Sequence, residues 1–295
     1  MSRTMPAELR SALLREVLPF HRGYNVYHSK SACVAALSAL QRANLPWWTP
    51  GCSRFVSRVA NVAVVHGGDG GGAGGLSPSS PPAAHPIVVV EGLDGVGKTT
   101  MTTALTQKLG GVLVRTPDPE LEPLRALFRS LDEPLARAFY CGANYLAAAQ
   151  VTEAVLTTPV VLDRWWCSTC AMTLAGKPGC TVLGLPPATD PIYQWPSDLP
   201  AFDVGVLLQV DEAIRRLRMK RRNDENEEEA LLAAKVEMRD TAMEAYRRFG
   251  LLTTVDIPNY MVAVNHTLDL VAQKGFSVRP NAKFIAEELA KVLPY

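Results

Sequence analysis

The run Gly92-Leu93-Asp94-Gly95-Val96-Gly97-Lys98-Thr99, which reads G-x-x-x-x-G-K-[ST], constrains this chain more than any other stretch. It follows the apolar segment Ile87-Val88-Val89-Val90 and precedes a helix-like stretch, so strand, glycine turn and helix fall in the order a phosphate-binding loop requires. Glycines let backbone N–H groups turn inward around phosphate oxygens. Lys98 supplies a cation at the β/γ position and Thr99 a hydroxyl for Mg²⁺.

The elements around the loop alternate as an α/β fold requires. Strands are expected at Ile87–Val90, Val112–Val114, Val160–Leu162, Val204–Val210 and Leu251–Ile257. Helices are expected at Thr99–Leu109, Leu121–Ser130, Pro134–Thr157, Asp211–Arg222, Leu231–Phe249 and Ala282–Val292. The predicted fold is a three-layer P-loop NTPase arrangement on a five-stranded parallel sheet, preceded by an N-terminal extension. A parallel sheet binds its ligand at the carboxyl ends of the strands.

Residues 1–66 form that extension. Its first sixty residues carry eight basic side chains against two acidic ones, the bias of an organellar transit peptide. Yet Ser31–Ala43 reads as a helix with buried-type residues, and Trp47 and Trp48 follow, so a small folded subdomain is the alternative. Residues 67–84, GGDGGGAGGLSPSSPP and its flank, have the composition of a linker. The catalytic domain is expected over 85–295. A formal net charge of +1 argues against a chain that coats nucleic acid or anionic membrane and favours small charged ligands. With no apolar run near the roughly 20 residues that span a bilayer, membrane insertion is not expected. A homodimer is left open. The six cysteines form no framework; Cys167-x-x-Cys170 leaves a redox or zinc role as a minor alternative to reduced thiols.

Asp163-Arg164 closes the third strand, where a carboxylate would face the metal's water shell and a guanidinium could grip a phosphate. Arg115, at the end of the second strand, is a further phosphate ligand. The basic run Arg215–Arg222 leads into an acidic one, and residues 215–230 read as a lid whose arginines neutralise charge on a transferring phosphoryl group. A solvated helix face is the alternative. No N-K-x-D run is present to read a guanine base.

GLDGVGKTT, Arg115-x-Pro117, FYCGANYLAA, VVLDRWWCSTCA and DLPAFDVGVLLQVDEAIRRLRMKRR resemble the thymidylate kinase family in the same order, over most of residues 87–256. Within it, Arg137–Tyr145, Val160–Ser168 and Tyr193–Leu199 resemble the UMP-CMP kinase branch. The resemblance implies ATP- and Mg²⁺-dependent phosphorylation of pyrimidine nucleoside monophosphates (UMP, CMP, dUMP, dCMP). ATP would be held by Gly92, Gly95, Val96, Gly97, Lys98, Thr99 and Thr100, and the metal by Thr99 and Asp163. Asp94, Arg115, Tyr140, Asn144, Tyr145 and Arg164 would bind the acceptor. Some family members carry an arginine directly after the loop carboxylate. Here Gly95 stands there, so catalytic charge falls to Lys98, Arg164 and the lid residues Arg218, Arg221 and Arg222. The base-reading run F-S-A-N-R of thymidylate kinases is replaced by Cys141-Gly142-Ala143-Asn144-Tyr145, which argues against dTMP as the main acceptor. Thymidylate phosphorylation, or a nucleotide-binding regulatory role with little catalysis, are the alternatives. The resemblance together with the arginine bias implies a mitochondrial location, with the cytoplasm as the other choice.

Overall fold

The computed structural model of the chain describes residues 11, 23–43, 45–63, 85–131, 133–177, 179–222, 236–256 and 259–291. The whole of the expected linker and the acidic half of the expected lid lie outside them.

Five parallel strands, β1 (Ile87–Glu91), β2 (Val112–Arg115), β3 (Val160–Asp163), β4 (Val204–Gln209) and β5 (Thr253–Asp256), form one sheet in the order β2-β3-β1-β4-β5. β1 and β3 are buried along their whole length, which is why they read as continuous apolar runs rather than alternating ones. The register aligns Val90, Arg115 and Asp163 at one level. From β1 the chain moves to the β2 edge and later returns past β1 to β5. The loops after β1 and β3 therefore part at the point where the order reverses, and a crevice opens there.

The helices of this domain are α3 (Lys98–Leu109), α4 (Glu122–Arg129), α5 (Glu133–Ala154), α6 (Trp166–Gly176), α7 (Glu212–Arg222), α8 (Val236–Arg248), α9 (Tyr260–Gln273) and α10 (Ala286–Lys291). α3 packs on β1, β2 and β3 and against α9, which touches β4. α5 packs on β2 and against α6, and α6 packs against α8. Most ends fall within a few residues of expectation. At the C-terminus, where a helix from Ala282 was expected, α10 starts only at Ala286. The Asn265 side chain donates to the Phe284 carbonyl (2.9 Å) and accepts from its N–H (2.8 Å), tying the segment to α9.

Ahead of this domain lie α1 (Lys30–Arg42) and α2 (Pro50–Asn61). Both have strong starts: Ser29 caps the Ala32 N–H, and Thr49 caps Cys52 ahead of Pro50. They pack on each other and on α5. Cys33, Leu37, Leu40, Phe55 and Val59 are buried in the same core as the sheet. Phe55 meets Phe139 and Phe128 at ring-centroid distances of 5.2 and 6.4 Å. A Cβ at Gly142 would come within 2.9 Å of the Phe55 ring, so the missing side chain there makes the seat for α2. Residues 194–199 clamp α1: Asp198 accepts the Lys30 N–H at 2.8 Å and the Tyr145 hydroxyl at 2.7 Å. No helix among the described residues is long and apolar enough to cross a membrane.

Candidate active site

A cleft of about 580 Å³ opens at the carboxyl ends of β1, β2 and β3. Its floor is the phosphate loop. Gly97 begins α3 in the left-handed region (φ +101°), with no side-chain cap, which turns the first N–H groups of the helix toward the cleft. Lys98 is buried; its ammonium donates to the Leu93 carbonyl at 2.7 Å and lies 3.4 Å from Asp94. Burial pulls it down to about 8, Arg164 adding to the fall while Asp94 and Asp163 oppose it. The Thr99 hydroxyl and the Asp163 carboxylate stand 3.5 Å apart. Two hard oxygen donors beside a triphosphate loop fit Mg²⁺, which keeps waters and takes phosphate oxygens as its other ligands.

Arg164 takes a left-handed backbone (φ +69°), uncommon for a side chain of its size. That conformation is held by Thr116, whose hydroxyl donates to the Arg164 carbonyl at 2.9 Å, and by the Arg164 N–H to Val90. It sends the guanidinium back over the loop, where it donates to the Gly92 carbonyl (3.0 Å), Ser168 (3.2 Å) and the Asp94 carboxylate. A strained backbone conformation fixed by its neighbours in this way pre-sets the direction of the guanidinium.

Behind Arg164 sits Glu91, fully buried. It accepts the N–H groups of Trp165 (2.9 Å) and Ser168 (3.2 Å) and the Ser168 hydroxyl, which also bonds Tyr246 at 2.8 Å. Burial pushes its carboxyl up from 4.5 to about 7, against the opposing pull of Ser168 and Arg164. The folded chain then holds a proton that the unfolded chain has lost over that window, so stability falls as pH rises through it. Glu91→Gln keeps an acceptor for both amides and should remove the decline. In thermal unfolding followed from about pH 5 to about pH 8, the gap between variant and parent midpoints is expected to move in the variant's favour as pH rises. A gap independent of pH would contradict this assignment.

The sides of the cleft come from two helices. α5 presents Arg137, Tyr140 and Asn144, and α6 with its entry presents Trp165, Ser168, Thr169 and Met172. Both sets recur at helical spacing of three and four. α4 adds Glu122, Arg125 and Arg129, and β2 adds exposed Arg115. Of the residues expected from sequence, Asp94, Gly95, Gly97, Lys98, Thr99, Arg115, Tyr140, Asn144, Asp163 and Arg164 line this cleft. Tyr145 does not: one residue on from Asn144 it is turned about 100° around α5, and it is fully buried on Asp198. Gly92 contributes its carbonyl to Arg164, Val96 is buried beneath the loop, and Thr100 faces solvent in the first turn of α3. Trp165 walls the cleft, whereas Trp166 is buried against His28. The Cys167 and Cys170 thiols lie inside α6, and burial pushes both well up, away from thiolate chemistry.

α7 docks directly on the loop. Arg215, buried and paired with Glu212 (2.7 and 3.0 Å), donates to the Asp94 carbonyl at 2.9 Å, and Arg218 donates to the Val96 carbonyl at 2.9 Å. Gly95 makes this possible. At φ +82° a Cβ there would come within 2.7 Å of Met219 and 3.2 Å of the Arg215 backbone. Arg221 and Arg222 end α7, and their side chains lie outside the described residues. The sequence reading missed Arg125, Arg129, Arg137 and Thr169, and placed Arg215 in a lid where the structure buries it against the loop. Extending the helical spacing from Tyr140 and Asn144 back to 137 would have found one of them.

Residues 90–266 match the family described as thymidylate kinase. A segment of 165 residues is 36% identical to the human mitochondrial UMP-CMP kinase 2, covering 55% of this chain and 36% of that protein. The chain therefore aligns to little more than a third of that relative's length. Among solved structures, the thymidylate kinase of Candida albicans is similar with a TM-score of 0.51 at 17% identity, over 65% of this chain and 93% of that one. At that identity the likeness speaks for the fold alone.

Proposed function

The chain belongs to the thymidylate kinase family, and on that footing we propose that it transfers the γ-phosphoryl group of ATP to pyrimidine nucleoside monophosphates, UMP and CMP and their deoxy forms. The observation that carries this reading is the continuity of the cleft. One space joins Lys98 and the first turn of α3 to the arginines Arg115 and Arg164 and to a compartment walled by α5 and α6. A donor triphosphate on the loop and an acceptor phosphate on Arg115 and Arg164 would meet in line above Lys98. Asp94 holds Arg164 in place and faces the acceptor's ribose side.

Phosphoryl transfer is mostly positioning and charge neutralisation, so the arginines are the working groups. Arg218 would exchange the Val96 carbonyl for the transferring phosphoryl group, with Arg221 and Arg222 following from the lid. Arg215 stays with Glu212 and Asp94 as the anchor of α7. Mg²⁺ on Thr99 and Asp163 would draw charge from the β and γ oxygens when bound. The human relative's name supports a mitochondrial location as part of this proposal.

The test is an acceptor panel with ATP: UMP, CMP, dUMP, dCMP and dTMP, compared by kcat/KM. UMP, CMP or their deoxy forms are expected to exceed dTMP by at least about tenfold, the scale on which a pocket without a dedicated group discriminates one methyl. Turnover of dTMP alone would refute the substrate assignment.

A further inference from the structure

Asn144 is fully buried where α5 crosses α6, at the wall of the cleft. Its Nδ2 donates to the Thr169 hydroxyl at 2.8 Å, while its Oδ1 has no hydrogen-bond partner. A buried carbonyl oxygen left unpaired is costly, and in a ligand cleft it marks a place where a ligand donor belongs. Thr169 also lines the cleft. Having accepted from Asn144, its hydroxyl still has a hydrogen to give. The pair thus offers one acceptor and one donor side by side.

A property of these two groups makes the pair more than a point contact. An amide can turn by 180°, and a hydroxyl is a rotor. After such a turn Thr169 donates to Oδ1, and the outward offer becomes an Nδ2–H donor beside a hydroxyl lone pair. The polarity of the pair reverses while the hydrogen bond between Asn144 and Thr169 is kept. Uracil and cytosine differ in this same respect: along the 3,4 edge uracil shows a donor (N3–H) then an acceptor (O4), and cytosine an acceptor (N3) then a donor (the 4-amino group).

We infer that Asn144 and Thr169 together form a polarity-reversible reader of the pyrimidine 3,4 edge, so that one cleft accepts both uracil and cytosine nucleotides. This rests on the kinase reading above and names its specificity-determining residues. Thymine shows the uracil edge, so the pair does not read the 5-methyl group.

The experiment compares kcat/KM for UMP, CMP and the 5′-monophosphate of the pyrimidin-2-one ribonucleoside, which lacks any 4-substituent, in the full chain and in Asn144→Ala and Thr169→Val. The parent is expected to use UMP and CMP within about tenfold of each other and to disfavour the 4-unsubstituted analogue by about tenfold or more, as sites built to hydrogen-bond a substrate group do. In each variant the CMP-to-analogue ratio is expected to fall to within about threefold of unity. General loss of packing would scale all three substrates alike, so the ratio separates reading from structure. Thr169→Val, nearly isosteric and at a half-buried position, answers the question if Asn144→Ala does not fold. Parental discrimination retained in the folded variants overturns the inference alone, as does a parent preferring one of UMP and CMP by more than about a hundredfold. A parent that turns over no pyrimidine monophosphate defeats the kinase reading and this inference with it.

Discussion

Lys98→Ala is expected to lower kcat by on the order of 10³-fold, the scale set by removing one preorganised donor from a developing charge in a water-excluded site. Its ammonium is buried and pinned to the Leu93 carbonyl, so no solvent cation stands ready to replace it. The fold should not suffer. Burial has already pulled the group down to about 8, which means that the native state disfavours the charged form, and deleting it relieves that cost. Steady-state rates and a thermal unfolding curve on the same preparation check both halves. A loss under tenfold, or an unfolded variant, would contradict the role assigned to the loop. Lys98→Arg is not expected to rescue, because a planar fork cannot take the place of a compact ammonium between Leu93 and Asp94.

The second large effect concerns the N-terminal helices. Deleting residues 1–63 strips Phe55, Val59, Leu37 and Leu40 from the core and uncovers Phe128 and Phe139. Loss of one buried phenylalanine costs about 3–5 kcal/mol, against about 5–15 for a whole domain. The truncated chain is therefore expected to aggregate, or to bind a dye that reports exposed apolar surface and to unfold without a sharp transition. Phe55→Ala should show a graded version of the same loss. A truncation that melts cooperatively at the parental temperature would contradict the packing described. A transit peptide fits this arrangement only if it ends ahead of α1, since cleavage beyond Ser29 would remove the cap and then the core side chains of that helix.

The sheet and the loop were legible because each rests on local rules. A buried parallel strand writes itself as an apolar run, and a phosphate loop writes its glycines and lysine at fixed spacing. Asp163, Arg164 and Arg115 followed from strand ends, and Asn144 from the family resemblance. What stayed hidden depends on contacts far apart in the chain. The YQWPSDL segment was visible as a pattern, yet its Asp198 ties Lys30 to Tyr145, a link across 168 residues that no window contains. Gly95 was read as an absent arginine. Only the approach of α7 shows it as the gap through which Arg215 reaches the loop. The basic run 215–222 likewise concealed two occupations, a buried anchor at 215 and a loop contact at 218.

α5 is a party wall. Arg137, Tyr140 and Asn144 look into the cleft, while on the other side Cys33 donates to the Ala138 carbonyl, Cys141 to the Tyr27 carbonyl, and Phe55 fills the gap at Gly142. A core packed at crystal density passes a small displacement on rather than absorbing it. Anyone selecting variants of this enzyme for a new acceptor should therefore randomise residues 30–61 along with the cleft. A shift of α1 or α2 by a fraction of an ångström re-aims the cleft-facing side chains of α5, and it does so from a region that lies ahead of the family match at residue 90.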